Sequence, residues 1–314
     1  MSAQITELKV FHSIDDFKKV KGAVVTTGTF DGVHVGHRKI INRLNEIARK
    51  VGGESVLLTF HPHPRMVLFP DDHGLELIST MDEKIQLLEE AGVQNLIIHP
   101  FTKEFSRTTS LDFIRDILVE KIGTSVLVIG YDHHFGRNRE GSFEHLKESG
   151  PLYGFDVEEI SVQDVDDVAV SSTKIRKALH DGDIETANKY LAHPFHLSGT
   201  VIHGDKLGRK IGFPTANIQV DDENKVTPAN GVYACYVFLN GNKMKGMLNI
   251  GTRPTVDGEA IRIEVHILDF DGEFYGETLT LEIIDRIRDE KKFANVEELT
   301  ARLVVDKNLV QNRL

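Results

Sequence analysis

The chain has 314 residues, 40% hydrophobic and 27% charged, with 37 Lys+Arg against 48 Asp+Glu for a formal charge of −11. That length predicts two domains of about 150 residues each, and the composition is that of a folded chain rather than a disordered one. The acidic balance excludes a broad nucleic-acid surface, which needs many cations on phosphates, and the one cysteine, Cys235, excludes an intrachain disulfide and any cysteine-built metal cluster.

The first twenty residues mix Lys9, Asp15, Asp16, Lys18 and Lys19 with short apolar pairs, and no apolar run approaches the ~20 residues of a membrane span. The expectation is a cytoplasmic protein without a signal or membrane segment. Up to residue 185, strands and helices alternate. Strands are expected at Ala23–Phe30, Ser55–Pro62, Asn95–Phe101, Ser125–Asp132 and Asp156–Val162, short and rich in Val, Ile and Leu as in a sheet covered on both faces. Between them, Ile40, Ile41, Leu44, Ile47, Ala48 and Val51 recur at helical spacing, Thr80 and Glu83 form a capping box, and Ser110 precedes a helix bearing Phe113, Ile114, Ile117 and Leu118. This alternation predicts a doubly wound parallel sheet whose ligands bind beyond the carboxyl ends of its strands.

A short helix, Ile184–Leu191, then gives way to β-type runs at Val201-Ile202, Gly231–Leu239, Lys245–Ile250, Ile261–Phe270 and Thr278–Ile284, with Asn240-Gly241 and Asp271-Gly272 as hairpin signals. A helical run over Phe293–Val310 closes the chain. The reading is a domain over 1–185 followed, over 186–314, by a small antiparallel β-barrel with a C-terminal helix.

Two segments of the first half carry phosphate chemistry. Gly28-Thr29-Phe30-Asp31-Gly32-Val33-His34-Val35-Gly36-His37 joins the first expected strand to the first helix, where free N–H groups and the helix dipole favour an anion. Its two histidines can donate to phosphate oxygens in the right tautomer. Ser171, Ser172 and Thr173, with Lys174 and Arg176, cluster hydroxyls and cations at the start of a later helix. Taken singly, each segment also reads as a tight turn or an ordinary helix cap.

In the second half, Gly204, Gly208 and Gly212 with Lys206, Arg209 and Lys210 make a flexible basic loop, followed by Phe213-Pro214-Thr215-Ala216-Asn217. Thr215 and Asn217 are two apart and share a side of an extended segment, offering hard oxygens to Mg²⁺. On the expected strand Ile261–Phe270, Arg262, Glu264 and His266 share the polar face. A lone Glu there is as readily a solvated residue. The patches His61-Pro62-His63-Pro64 and His133-His134 leave a histidine-bound metal hydrolase open as an alternative, with the two prolines holding an extended path.

His34–His37 and Ser171–Arg176, in that order, resemble the (H/T)xGH and ISSTxxR motifs of the nucleotidyltransferase superfamily, with Val170 in place of the leading isoleucine. Gly212–Asn217, Gly231-Val232-Tyr233, Asn249–Thr255, Glu264–Phe270 and Phe274-Tyr275-Gly276 resemble the riboflavin kinase domain. Together they make the chain similar to the bacterial bifunctional riboflavin kinase/FMN adenylyltransferase family over nearly its whole length.

The resemblance implies two ATP-dependent steps, riboflavin to FMN and FMN to FAD, with small-molecule substrates; the expectation is a monomer or weak oligomer with no nucleic-acid or membrane partner. In adenylylation it implies catalysis by His34, His37 and Arg176, ATP held by Gly28, Phe30, Asp31, Gly36, Ser171, Ser172 and Thr173, and FMN held by Phe60, Asp132 and Phe135. In the kinase it implies Glu264 as general base, Mg²⁺ on Thr215 and Asn217, ATP on Gly204, Lys206, Gly208, Gly212, Phe213 and Pro214, and flavin on Arg288, Glu290 and Phe293. The chain departs from the pattern at Gly130-Tyr131-Asp132-His133-His134-Phe135-Gly136, where His133 replaces an aromatic. A nucleotide- or flavin-binding regulator on the same scaffold is the non-enzymatic alternative.

Overall fold

Val24, Val25, Val56, Leu57, Leu58, Leu96 and Ile97 are all shut off from solvent, the condition for strands covered on both faces by helices. The computed structural model describes residues 7–71, 74–130, 134–160, 170–204, 207–255, 258–270, 272 and 274–314. The chain forms two compact units, Met1–Leu75 with Lys84–Ser171, and Glu76–Glu83 with Ser172–Leu314.

The first run of elements is β1 (Lys9–Phe11), β2 (Ala23–Thr27), α1 (Val35–Val51), β3 (Ser55–His61), α2 (Pro64–Leu68), α3 (Met81–Glu90), β4 (Asn95–Pro100), α4 (Ser110–Asp112), β5 (Thr124–Gly130), α5 (Phe143–Tyr153) and β6 (Asp156–Ile160). The six strands make one sheet in the order β1-β4-β3-β2-β5-β6, every pairing parallel. From β2 the chain winds outward through β3 and β4, then returns to place β5 and β6 on the other side of β2. The winding therefore reverses between β2 and β5, and the turn after β2 lies where such sheets bind ligands.

Several expected elements change at their ends. The strand from Ala23 stops at Thr27 because Phe30 adopts φ +46, outside strand geometry. Those expected to reach Asp132 and Val162 run to Gly130 and Ile160, and residues 131–133 and 161–169 lie outside the described set. The expected extended path through Pro62 and Pro64 is also corrected. Pro64 opens α2, where its missing N–H costs nothing, and His63 Nδ1 accepts the Arg65 N–H at 3.2 Å. The helix after Ser110 is one α turn continued as a π-helix over Phe113–Ile122, with Phe113, Ile114, Leu118 and Ile122 buried. The capping box forms, Thr80 N–H donating to Glu83 Oε2 (2.9 Å) and Glu83 N–H to Thr80 Oγ1 (3.3 Å).

The second run is α6 (Ser172–Asp181), α7 (Ile184–Leu191), β7 (Phe195–Ile202), α8 (Leu207–Lys210), β8 (Ala216–Gln219), β9 (Gly231–Leu239), β10 (Asn242–Thr255), β11 (Gly258–Ile267), β12 (Thr278–Arg288) and α9 (Val296–Arg313). The strands close a barrel in the order β10-β11-β8-β7-β12-β9, all pairs antiparallel. Leu197, Tyr233, Cys235, Val237, Leu248, Val265, Leu279 and Leu281 fill it. Helix α9, capped by Asn295, buries Val310 in a cluster with Phe213, Val232, Ala234, Met247 and Leu268.

The expected division at 185/186 falls inside the second unit, because α6, α7 and residues 76–83 pack on the barrel. Ala229 N–H donates to Leu179 O (3.0 Å), and the Asn188 carboxamide donates to Ile283 O (2.9 Å) and accepts from Phe195 N–H (2.8 Å). Lys225 Nζ, fully buried, donates to Glu83 Oε2 (2.5 Å) and Ile78 O (2.6 Å) over the Phe195 ring. A buried ion pair survives only with its remaining valences filled, and Ser198 N–H and Thr80 N–H complete Glu83. No helix among the described residues is long and apolar enough to cross a membrane.

Candidate active sites

The turn after β2 is strained. Phe30 and Val33 take φ +46 and +40, which no bulky or β-branched residue adopts without cost, and both are buried. That conformation aims the chain into α1, and Gly28 admits the Phe30 ring, which a Cβ would meet at 3.0 Å. His34 caps α1, its Nδ1 accepting the His37 N–H at 3.4 Å. In the neutral ring the proton therefore sits on Nε2, the donor tautomer. The two imidazoles stack at 3.6 Å between centroids and 14° between planes.

His37 is partly exposed as a residue, but its Nδ1 is shut off from solvent without a hydrogen-bond partner. An orphaned buried polar atom at a helix N-terminus is what an anion-binding site leaves when nothing is bound. Burial holds the His37 pKa well below the imidazole range, and the neighbouring His34 and Lys84 push it the same way. The ring thus stays neutral across physiological pH. Its ring-carbon NMR resonance should show no titration as pH falls from 8 to 6.5, with protonation only well below. A midpoint near the ordinary value of about 6.5 would contradict the buried neutral ring.

Lys84 and Asp31 lie in the same buried surroundings. Burial lowers the Lys84 pKa, and Asp31 opposes that shift. Lys84 was not among the expected site residues, since on α3 it reads as one more solvated cation. Gly36 is buried in the first turn of α1. Phe60 is half-buried and packs edge-on against Phe101 at 5.6 Å. Phe135 is buried against Phe113 at 5.5 Å, among the core side chains of the sheet. Asp132 and Lys206 lie outside the described residues.

Ser171 precedes α6, and Ser172 and Thr173 occupy its first turn; Ile175, Ala178 and Leu179 turn inward. Arg176 is half-buried and donates through Nε to Glu76 O at 2.5 Å. It belongs to the second unit, and His34 and His37 belong to the first.

The barrel gathers the other set. Asn217 of β8 sits opposite Glu264 of β11, and Asn249 of β10 faces Glu264 from the other side. Thr215 Oγ1 donates to Glu264 Oε1 at 3.4 Å. As expected from the alternation of β11, Ile263, Val265 and Ile267 point into the core while Arg262, Glu264 and His266 line a cavity of about 290 Å³. Ile261, expected on the inner face, is exposed.

His266 donates from Nδ1 to Pro214 O at 2.8 Å, and burial keeps its pKa below the usual range, so it serves as a neutral brace for the Pro214–Thr215 turn. Arg288, Glu290 and Phe293 line the same cavity, with the Arg288 guanidinium 5.7 Å from the Phe293 ring centre. A second cavity of about 60 Å³ is bordered by Arg209, Pro214, Phe270, Phe274 and Tyr275. Thr215 lines both, which puts its hydroxyl on the wall between them.

Glycine is required where backbone approaches these groups. A Cβ on Gly204 would stand 2.0 Å from Asn217 Nδ2, and one on Gly251 would stand 2.4 Å from Glu290 Oε1. Gly208 bears the carbonyl that accepts from Ile211 and Phe213 N–H, forming the turn beneath Phe213, and Gly212 takes φ +81. Gly204→Ala should cut turnover at this barrel site by roughly 10–100-fold by displacing the Asn217 carboxamide, with the histidine site unaffected. Separate steady-state assays of the two half-reactions read this directly. The donor set of one hydroxyl, one carboxamide oxygen and one carboxylate, brought together by Thr215, Asn217 and Glu264, fits a hard divalent cation such as Mg²⁺. No group of three or more His, Cys, Asp or Glu is arranged to hold a metal among the described residues.

The pattern that defines the FAD synthetase family matches residues 16–174, and that of riboflavin kinase matches residues 191–314. The bifunctional riboflavin kinase/FMN adenylyltransferase of Escherichia coli (strain K12) is 40% identical over 287 residues, covering 91% of each chain. The enzyme of the same description from Bacillus subtilis (strain 168) is 37% identical over 290 residues, 91% of this chain and 90% of that one. A crystal structure described as a macrolide-efflux protein from Streptococcus pneumoniae superimposes with a TM-score of 0.87 and 32% identity, over 97% of this chain and 99% of that one.

Proposed function

The chain belongs to the family of bifunctional riboflavin kinase/FMN adenylyltransferases, and we propose a residue-level account of its two reactions. It makes FAD in two steps, phosphorylation of riboflavin to FMN by ATP in the C-terminal part and adenylylation of FMN with release of pyrophosphate in the N-terminal part. The observation that carries the account is the meeting of Glu264 with Asn217 across paired strands and with the hydroxyl of Thr215, the residue that borders both cavities of the barrel.

In the kinase step the larger cavity takes the flavin ring against Phe293 and Arg288, leaving the ribityl chain to run toward Glu264. The nucleotide presents its phosphates at the smaller cavity, which Thr215 also borders. Glu264 accepts the proton of the terminal hydroxyl as that oxygen attacks the γ-phosphorus and the bond to the β–γ bridging oxygen breaks, releasing ADP. Thr215 and Asn217 would hold Mg²⁺, which would supply neutralisation of charge on the phosphates. Most of the acceleration comes from alignment and charge neutralisation, as in phosphoryl transfer generally.

In the adenylylation step the FMN phosphate is already an anion and attacks the α-phosphorus of ATP without a strong base. His34, donating from Nε2, and a neutral His37 hydrogen-bond the phosphate oxygens at the α1 N-terminus. Arg176 and the hydroxyls of Ser171, Ser172 and Thr173 stabilise the departing pyrophosphate.

Incubation of the purified protein with riboflavin, ATP and Mg²⁺, followed by chromatography of the flavins, tests the account. FMN and then FAD are expected. Absence of both would refute it, and FMN without FAD would locate a failure in the N-terminal chemistry, where His133 departs from the family pattern.

A further inference from the structure

We infer that Arg262 is a positioning residue for phosphoryl transfer, holding Asn217 and Glu264 in the arrangement from which they act. The inference rests on the assignment of this barrel patch to riboflavin phosphorylation.

Arg262 stands two residues before Glu264 on β11, so both side chains leave the same face. The Arg262 Nε–H donates to Asn217 Oδ1 at 3.1 Å, and the same nitrogen lies 3.5 Å from Glu264 Oε1. Glu264 Oε1 also receives the Thr215 hydroxyl at 3.4 Å. One guanidinium therefore stands between the oxygen proposed to face the metal and the carboxylate proposed to take the proton.

Two physical consequences follow. A carboxamide has an oxygen end and a nitrogen end of nearly equal shape, so its orientation is decided by partners. A fixed cation at Oδ1 selects one orientation of Asn217, with Nδ2 turned to the space that Gly204 leaves open. The Asn217 oxygen and the Glu264 carboxylate also sit directly across paired strands, where two electron-rich groups repel. The guanidinium between them removes that repulsion. Lysine is a poor substitute, because its ammonium is a strongly hydrated point charge on a flexible stem, whereas the planar guanidinium fixes the direction of its Nε–H.

The pair adds little to folding. Arg262 and Glu264 remain 30% and 22% exposed, and solvent-screened ion pairs contribute little to stability. The loss of Arg262 should therefore appear in turnover and not in melting, which separates positioning from support of the barrel.

The test uses full-length Arg262→Gln and Arg262→Lys, with FMN adenylylation in the same chain as the internal control. Arg262→Gln should lower kcat for riboflavin phosphorylation on the order of 100-fold, the scale of a misplacement near 1 Å. Riboflavin affinity, read by quenching of flavin fluorescence, should change far less than kcat. Melting temperature and conversion of supplied FMN to FAD should match the wild type. Arg262→Lys should recover part of the lost kcat.

A kcat for Arg262→Gln within about threefold of wild type would overturn the inference. So would a loss shared by adenylylation and by thermal stability, or a lysine variant no better than glutamine. Glu264→Gln, assayed in parallel, keeps the two levels apart. If it retains phosphorylation, the assignment of the site itself fails; if it is inactive while Arg262→Gln is not, only the role of Arg262 fails.

Discussion

Glu264→Gln is expected to lower riboflavin phosphorylation by about 10²–10⁴-fold, the range for removal of a general base, while supplied FMN is still converted to FAD at the wild-type rate. Glutamine preserves the size of the side chain and its ability to accept the Thr215 hydroxyl, now 3.4 Å from Oε1, but it cannot take a proton. The strand register that places position 264 opposite Asn217 and Asn249 is made by backbone hydrogen bonds and survives the substitution. Riboflavin binding depends on the cavity walls and should change little, so the loss falls on kcat and not on KM. Steady-state kinetics of each half-reaction, with flavins separated by chromatography, give the answer. Phosphorylation within a few-fold of wild type would remove Glu264 from the chemistry. Equal loss of both activities would mean that the substitution had damaged the fold.

What could be read from the sequence was local. Asn240-Gly241 announced a two-residue hairpin, and the structure gives it φ +49 and +79 between Leu239 and Asn242, the paired positive angles of a type I′ turn. Asp271-Gly272 carried the same signal, but the strands on either side do not pair: β11 lies between β10 and β8, and β12 between β7 and β9. Which strands neighbour one another is decided by closure of the barrel, not by the dipeptide between them. Strand β8 is only four residues long, too short to stand out as a run of its own even though Thr215–Asn217 reads as extended. Helix α5 was missed as well, and Pro151 inside it is a helix-breaking signal.

The same contrast governs the sites. Glu264 shows only as a polar residue on an alternating strand; its partners Asn217 and Thr215 come from residues almost fifty positions away and appear once β8 and β11 pair. Glu83 reads as half of a capping box, which it is, but its second partner Lys225 is 142 residues distant. Arg262 and Lys84 look like surface cations because charge in a sequence carries no record of burial. The acidic total of −11 describes the solvated exterior in the same way and is silent about these local clusters. Motif order, by contrast, is a sequence property, and it pointed to both reactions.

Asp306→Ala is expected to destabilise the second unit by about 3 kcal/mol, the lower end for breaking a buried ion pair, since the cations it leaves behind are partly exposed. The carboxylate is fully buried on α9 and accepts from Arg288, with Nε and Nη2 both 2.8 Å from Oδ2. Arg302 Nε lies 2.9 Å from Oδ1 without hydrogen-bond geometry, so it contributes charge rather than a directed bond. Alanine would strand Arg288 without its carboxylate at the edge of the flavin cavity, and desolvation of that cation supplies most of the cost. For a unit of this size the shift corresponds to a melting temperature lower by roughly 6–12 °C.

A purely structural carboxylate would show only that shift. Asp306 also fixes the guanidinium that packs over Phe293, so at temperatures where the variant is folded the KM for riboflavin should rise while FMN adenylylation is unchanged. Asp306→Asn keeps one acceptor oxygen and should fall between alanine and wild type on both measures. Thermal melts followed by circular dichroism and riboflavin kinetics below the transition test the pair of effects together. An unchanged melting temperature for Asp306→Ala would show that the buried carboxylate does not hold α9 on the barrel, and an unchanged KM would show that Arg288 keeps its place in the cavity without it.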